Sequence, residues 1–241
     1  MRSRERLHPP RRIRAGTAGD RRPGAIVSCA VLSTGPEEWA GVDLESGAFV
    51  RARVPGDGVP GDGVPGEWAL WDVARFEIGA DEEPPDPARP EAVTLAGQPS
   101  AVGRLRRAAA RRLLAQLAAP DGSRTPLLGT RGPSTAYVDL DISTPSIELV
   151  ATDARVLSCF AREGGEPSCA FSWGGTTLTL PLLDARARAA LRSSPVPLAG
   201  AALAAATGGT PRYLLVGLTA VRRGHAPKAV LSIVAKRPSR R

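Results

Sequence analysis

The 241-residue chain is poor in the residues that most often carry chemistry or hold a fold covalently. Its three cysteines, Cys29, Cys159 and Cys169, are an odd number spread along the chain, which is no disulfide framework and fits a reducing cytoplasm. Its two histidines, His8 and His225, give no recognisable zinc-ligand spacing with those cysteines, so no metal and no cofactor are expected. No apolar run approaches the roughly 20 residues a membrane helix needs, and no membrane partner is expected. The early apolar stretch Ala25–Leu32 continues into Ser33-Thr34-Gly35-Pro36 without a clean signal-cleavage site. Neither a phosphate-binding Gly-Lys-Ser/Thr loop nor a Gly-x-Ser-x-Gly elbow occurs, so no catalytic residue is assigned. Only ten residues are aromatic, a meagre supply for stacking nucleobases.

Positive charge is what the chain does have. The formal net charge is +8, with 32 basic residues, of which only Lys228 and Lys236 are lysines. Residues 1–24 carry +6 and residues 222–241 carry +7, which leaves −5 for everything between. A mildly acidic body bracketed by basic ends is a different object from a basic folded face. The first 24 residues, rich in arginine and proline and without apolar periodicity, are expected to be disordered.

From Ala25 onward the pattern has the period of strands. Ala25–Leu32, Trp39–Leu44, Ala48–Val54, a segment within Glu67–Ile78, and Glu91–Leu95 read as β. In Ala48–Val54, Phe49, Arg51 and Arg53 alternate with Val50, Ala52 and Val54, as in a half-buried strand. Val-Pro-Gly-Asp-Gly, repeated from Val54 through Glu67, reads as a turn-rich loop lengthened by duplication. Ser100–Ala118 switches to a helical period: Val102, Leu105, Ala109, Leu113 and Leu117 share a stripe, while Arg104, Arg107, Arg111 and Arg112 lie mostly off it. Ser100 is its candidate N-cap. This basic face is either the solvated side of a docked connecting helix or a phosphate- or partner-binding face.

The second half is β again: Tyr137–Ile142, Ile147–Val150, Val156–Phe160, Ala170–Trp173, Thr176–Leu180, Tyr213–Leu218 and Ala229–Val234. Asp184 is placed to cap a short helix, Ala185–Arg192, and Leu198–Ala206 is a further helical candidate. Cys159 and Cys169 flank a turn and are able to face each other across a hairpin. Asp139 and Asp141 share one face of their segment, as solvated edge residues commonly do.

Several segments carry a resemblance. Gly41-Val42-Asp43-Leu44-Glu45-Ser46-Gly47-Ala48-Phe49-Val50-Arg51, Leu70-Trp71-Asp72-Val73, Pro90-Glu91-Ala92-Val93, Leu180-Pro181-Leu182-Leu183-Asp184 and Leu214–Thr219 occur in an order that resembles the dual OB-containing domain family of bacteria. The resemblance covers about residues 25–236. It implies a mainly β protein of two small OB-like barrels joined by an amphipathic helix. The domains would be a tail over 1–24, a first barrel over 25–98, a connecting helix and loop over 99–132, a second barrel over 133–236 and a basic tail over 237–241. Phe49 stands where the family has Trp, Leu183 where it has Thr, and Ala220–Lys228 lacks the usual aromatics.

The function expected is non-catalytic binding of nucleic acid, single-stranded or through backbone contacts, in a bacterial conflict or mobile-element setting with other proteins of the same system as partners. A protein-interaction or structural module is the alternative. The candidate contacts are Arg51 and Arg53 on one strand face, Trp173 as a stacking platform, and Arg222, Arg223 and Lys228 near the last strand pair. Trp39, Trp68 and Trp71 are assigned to the core.

Overall fold

The computed structural model describes residues 22–34, 38–53, 68–80, 86–119, 126–140, 145–161, 165–194 and 196–235. The repeat over 54–67, Asp141, Lys236 and most of the two tails fall outside these. The fold is mainly β, with a sheet curled into a half-barrel.

In the first half, β1 (Ile26–Thr34), β2 (Glu38–Asp43) and β3 (Phe49–Arg53) form an antiparallel meander. Then come β4 (Asp72–Glu77), β5 (Ala92–Thr94) and β6 (Ser100–Arg104). The sheet order is β5-β3-β2-β1-β4-β6, with β3 and β5 parallel. A bridge between Ile78 and Leu95 ties the end of β4 to the end of β5. One face of this sheet encloses Val27, Cys29, Val31, Trp39, Val50, Ala52, Ala74 and Phe76. Trp39 anchors it, edge-on to Phe76 at 5.4 Å between centroids and stacked with Trp68 at 6.2 Å.

The helix expected from Ser100 begins later. Ser100–Arg104 is strand β6, paired with β4, and α1 spans Arg107–Leu117. Gly103, at φ +149°, lies beside a register shift in that pairing, and the Leu105 N–H donates to the Trp71 carbonyl at 2.7 Å. Ladder bonds to β4 thus outcompete one more turn of helix. Ser100 is not a cap; the cap position is Arg106, which makes no side-chain capping bond.

The second half holds β7 (Ser134–Ala136), β8 (Ile147–Ala151), β9 (Ser158–Phe160), β10 (Ser168–Trp173), β11 (Thr176–Pro181), α2 (Ala185–Arg192), β12 (Leu198–Ala199), α3 (Gly200–Thr207), β13 (Pro211–Leu218) and β14 (His225–Ala235). Its ladders run β7-β14-β13-β8 and β11-β10-β9-β12. A parallel bridge between Leu182 and Val230 joins the end of β11 to β14. Asp184 caps α2 as expected, accepting from the Arg186 and Ala187 N–H groups at 3.0 and 3.1 Å and from the Ile233 N–H at 2.8 Å. Tyr137–Asp139, expected in a strand, is a 3-10 turn: the Leu140 N–H closes on the Tyr137 carbonyl at 3.1 Å.

Between the halves lies a third apolar cluster. Ala40, Val42 and Val73 of the first sheet, Ala109, Ala110, Leu113 and Leu114 of α1, and Ile147, Leu149, Leu215 and Leu231 of the second half pack together. The helix is therefore part of a core and not only a connector. Arg51 reinforces this contact. Its strand alternates as expected, but both of its faces are buried.

Candidate nucleic-acid interface

Three of the six candidate contacts are corrected by burial. Arg51 is 0% exposed. Its guanidinium donates to the Leu218 carbonyl at 2.7 Å and the Ser146 carbonyl at 3.0 Å, and pairs with Glu91 and, at 3.3 Å, with Glu38. The Ser146 hydroxyl donates to Glu91, so the pair is closed by both halves of the chain. A methyl group on Gly217 would run into this guanidinium, which explains glycine there. Arg51 is thus an internal strut that phosphate cannot reach.

Lys228 is 1% exposed, and its ammonium donates to the Thr130 carbonyl at 2.5 Å. Burial lowers its pKa to about 8. Trp173 is 3% exposed and points into the core of the second half beside Phe171. It offers no stacking face. Arg53 is half-buried at the end of β3, opposite Glu38. Arg222 and Arg223 are exposed at the tip of the β13–β14 hairpin, where Arg223 and Gly224 have φ of 52° and 78°. The N–H and carbonyl of Arg222 exchange hydrogen bonds with His225 at 2.8 and 3.1 Å, the geometry of a two-residue type I′ turn.

A larger exposed basic cluster lies elsewhere among the described residues, on α1 and the residues leading into it. Arg104, Arg106, Arg107, Arg111 and Arg112 are all exposed, and residues 100–119 contain no acid. Arg104 is tied down, donating to Asp72 at 2.9 Å and to the Leu70 carbonyl at 2.7 Å. Arg106 and Arg107 stand at the helix N-terminus, where the backbone dipole is already positive and the first turn holds no acidic residue. Arg111 and Arg112 follow one turn on, opposite the buried Ala110, Leu113 and Leu114. This placement costs the free helix stability and favours an anion alongside.

No family model, curated protein or solved structure matches the chain. Among the described residues, no helix is long and apolar enough to cross a membrane, and no group of three His, Cys, Asp or Glu side chains is placed to hold a metal ion.

The remaining polar clusters are structural in geometry. Asp86 accepts from Arg89 Nε at 3.1 Å, and burial first and Asp86 second raise the pKa of Tyr137. Arg89 also reaches Glu38 at 3.6 Å, continuing the Arg51 network. Arg186 donates to the carbonyls of Thr207 and Ile233 at 2.8 and 2.6 Å, clamping α3 and β14 to the start of α2. These arginines are largely withdrawn from solvent, whereas those of the α1 cluster are exposed. Its helical stripe and off-stripe arginines were visible in the sequence; Arg106 was missed because its exposure depends on where the helix starts.

Proposed function

We propose that the protein binds nucleic acid through the phosphate backbone, using the arginine face of α1, and catalyses no reaction. The observation that carries this is the exposure of Arg106, Arg107, Arg111 and Arg112 on a stretch free of carboxylates. Arginine forks suit phosphate oxygens, and such contacts position a protein without reading sequence.

Base stacking is disfavoured. All ten aromatic residues are described, and none is exposed. The outward face of β10 and β11 presents the hydroxyls of Ser168, Ser172, Thr177 and Thr179 and the methyl of Ala170, and no rings. OB-folds that hold single strands stack bases on aromatics, so a shape- and charge-based grip fits this surface better.

The strand connections support two OB-like barrels. In the first half, β1-β2-β3 is a meander, β4 returns to β1, and β5 lies parallel to β3. In the second, β8 and β9 act as one interrupted first strand: β8 pairs with β13, and β9 with β10. There β11 meets β14 in parallel, through the Leu182–Val230 bridge. Both patterns accord with a five-stranded Greek-key barrel.

The test is a titration of the full chain, and of its Arg106→Gln/Arg107→Gln/Arg111→Gln/Arg112→Gln variant, against labelled single-stranded and duplex oligonucleotides of several sequences. Affinity should be nearly independent of sequence and fall about tenfold or more in the variant, since each neutralised phosphate adds to binding. Unchanged affinity would assign any binding to the tails and sink the helix site.

A further inference from the structure

We propose that Cys159 and Cys169 are a cross-strand redox pair that closes to a disulfide within the second half without rearrangement of the backbone. The two residues are direct partners in the antiparallel β9–β10 ladder, and both are buried. Whether directly opposed cysteines suit a disulfide depends on which kind of ladder pair they occupy, and the register decides this.

The β10–β11 hairpin turns through Gly174 and Gly175, with φ of 56° and 78°, a two-residue loop. Its closing pair, Trp173 and Thr176, must therefore be hydrogen-bonded. The ladder continues without a register shift, so hydrogen-bonded pairs recur at every second residue: Phe171 with Leu178, then Cys169 with Leu180. The next position agrees, since the Leu182 N–H donates to the Pro167 carbonyl at 2.8 Å. The backbone N–H and carbonyl of Cys169 are thus directed at β11 and away from β9. Cys169 and Cys159 then form a non-hydrogen-bonded pair, with Cα atoms about 4.5 Å apart and side chains close on one face. That spacing falls within the roughly 4.4–6.8 Å that disulfides span. The Cys159 thiol raises the pKa of Cys169 beside it.

The third thiol is an internal control. Cys29 lies on β1, in the core of the first half, and belongs to a different apolar cluster. The reaction needs a disulfide-class oxidant. One protein thiolate attacks the oxidant's S–S bond and expels a thiolate; the second protein thiolate then displaces the other half from the mixed disulfide. Two protein thiols lose two electrons and two protons in total, and two small-molecule thiols form. The neighbouring Cys159 thiol first, and burial second, raise the Cys169 pKa and slow attack in the folded state, so closure is expected to occur as the chain folds. The bond would staple β9, whose three residues are otherwise held by β10 and the two-residue β12.

The experiment refolds the full chain from urea in a buffer of oxidised and reduced glutathione, blocks free thiols, and measures intact mass, tryptic linkage and thermal unfolding. The expected product has lost two hydrogens, links the peptides bearing Cys159 and Cys169, and leaves Cys29 free. Its Tm should exceed that of the reduced protein by about 5 °C, and a reductant should abolish the gain. A Cys29→Ala variant should give the same product. A fully reduced product, a link through Cys29, or a linked product that unfolds no higher than the reduced protein would each overturn the proposal.

Discussion

At the scale of single residues, the charge of a side chain did not reveal its place. Arg51 and Lys228 look like surface cations in the sequence and are buried because carbonyls of distant segments meet them: Leu218 and Ser146 for Arg51, Thr130 for Lys228. Such partners are far apart along the chain, so no local pattern shows them. Removing one partner of a buried ion pair strands the other. Arg51→Met is therefore expected to cost about 3–5 kcal/mol, measured by urea unfolding, and Arg51→Met/Glu91→Leu should recover part of that cost. Lys228 gives a pH signature. Its folded pKa of about 8 lies below the unfolded value of about 10.4, so the unfolded chain binds more protons between these limits and stability rises with pH there. Cys169, whose pKa is raised, acts in the opposite direction at alkaline pH, so the comparison must be with Lys228→Met. The wild type should gain stability relative to that variant from pH 8 to 10.5, by at most about 1.4 kcal/mol per pH unit, and the difference should be flat below pH 7.

At the scale of elements, period-2 alternation and cap residues were legible, and pairing was not. The strands around Ile26–Thr34, Phe49–Arg53, Ser168–Trp173 and Pro211–Leu218 follow from their apolar runs, and α2 follows from Asp184. Ser100–Arg104 defied its helical period because β4 offered an open edge. Tyr137–Asp139 defied its alternation because its chain turns beside the β13–β14 hairpin, the Tyr137 N–H donating to the Gly224 carbonyl at 2.9 Å. That hairpin is itself informative. A type I′ turn favours Asn or Gly where Arg223 stands, and the chain contains no asparagine. Arg223→Gly is expected to stabilise the protein by up to about 1 kcal/mol in chemical denaturation, because a left-handed arginine is strained. If Arg223 is retained for binding, the same variant loses affinity as it gains stability.

At the scale of the whole molecule, three apolar clusters hold the chain together, one inside each half and one between them that includes α1. Docking of the helix by Ala109, Ala110, Leu113 and Leu114 is what turns its arginines outward as a fixed row. The net charge of +8 therefore divides into basic ends and an acidic body, and within that body the acid-free stretch 100–119 carries five arginines. The proposed function rests on that segment, and salt dependence tests it most directly. Binding of the full chain to a duplex oligonucleotide should be measured over a salt series, with and without the four α1 substitutions. If the four arginines meet phosphates, the slope of log affinity against log salt should become shallower by about 0.9 for each phosphate no longer neutralised, roughly three to four in all. An identical slope for the two proteins would contradict a phosphate-binding role for the helix.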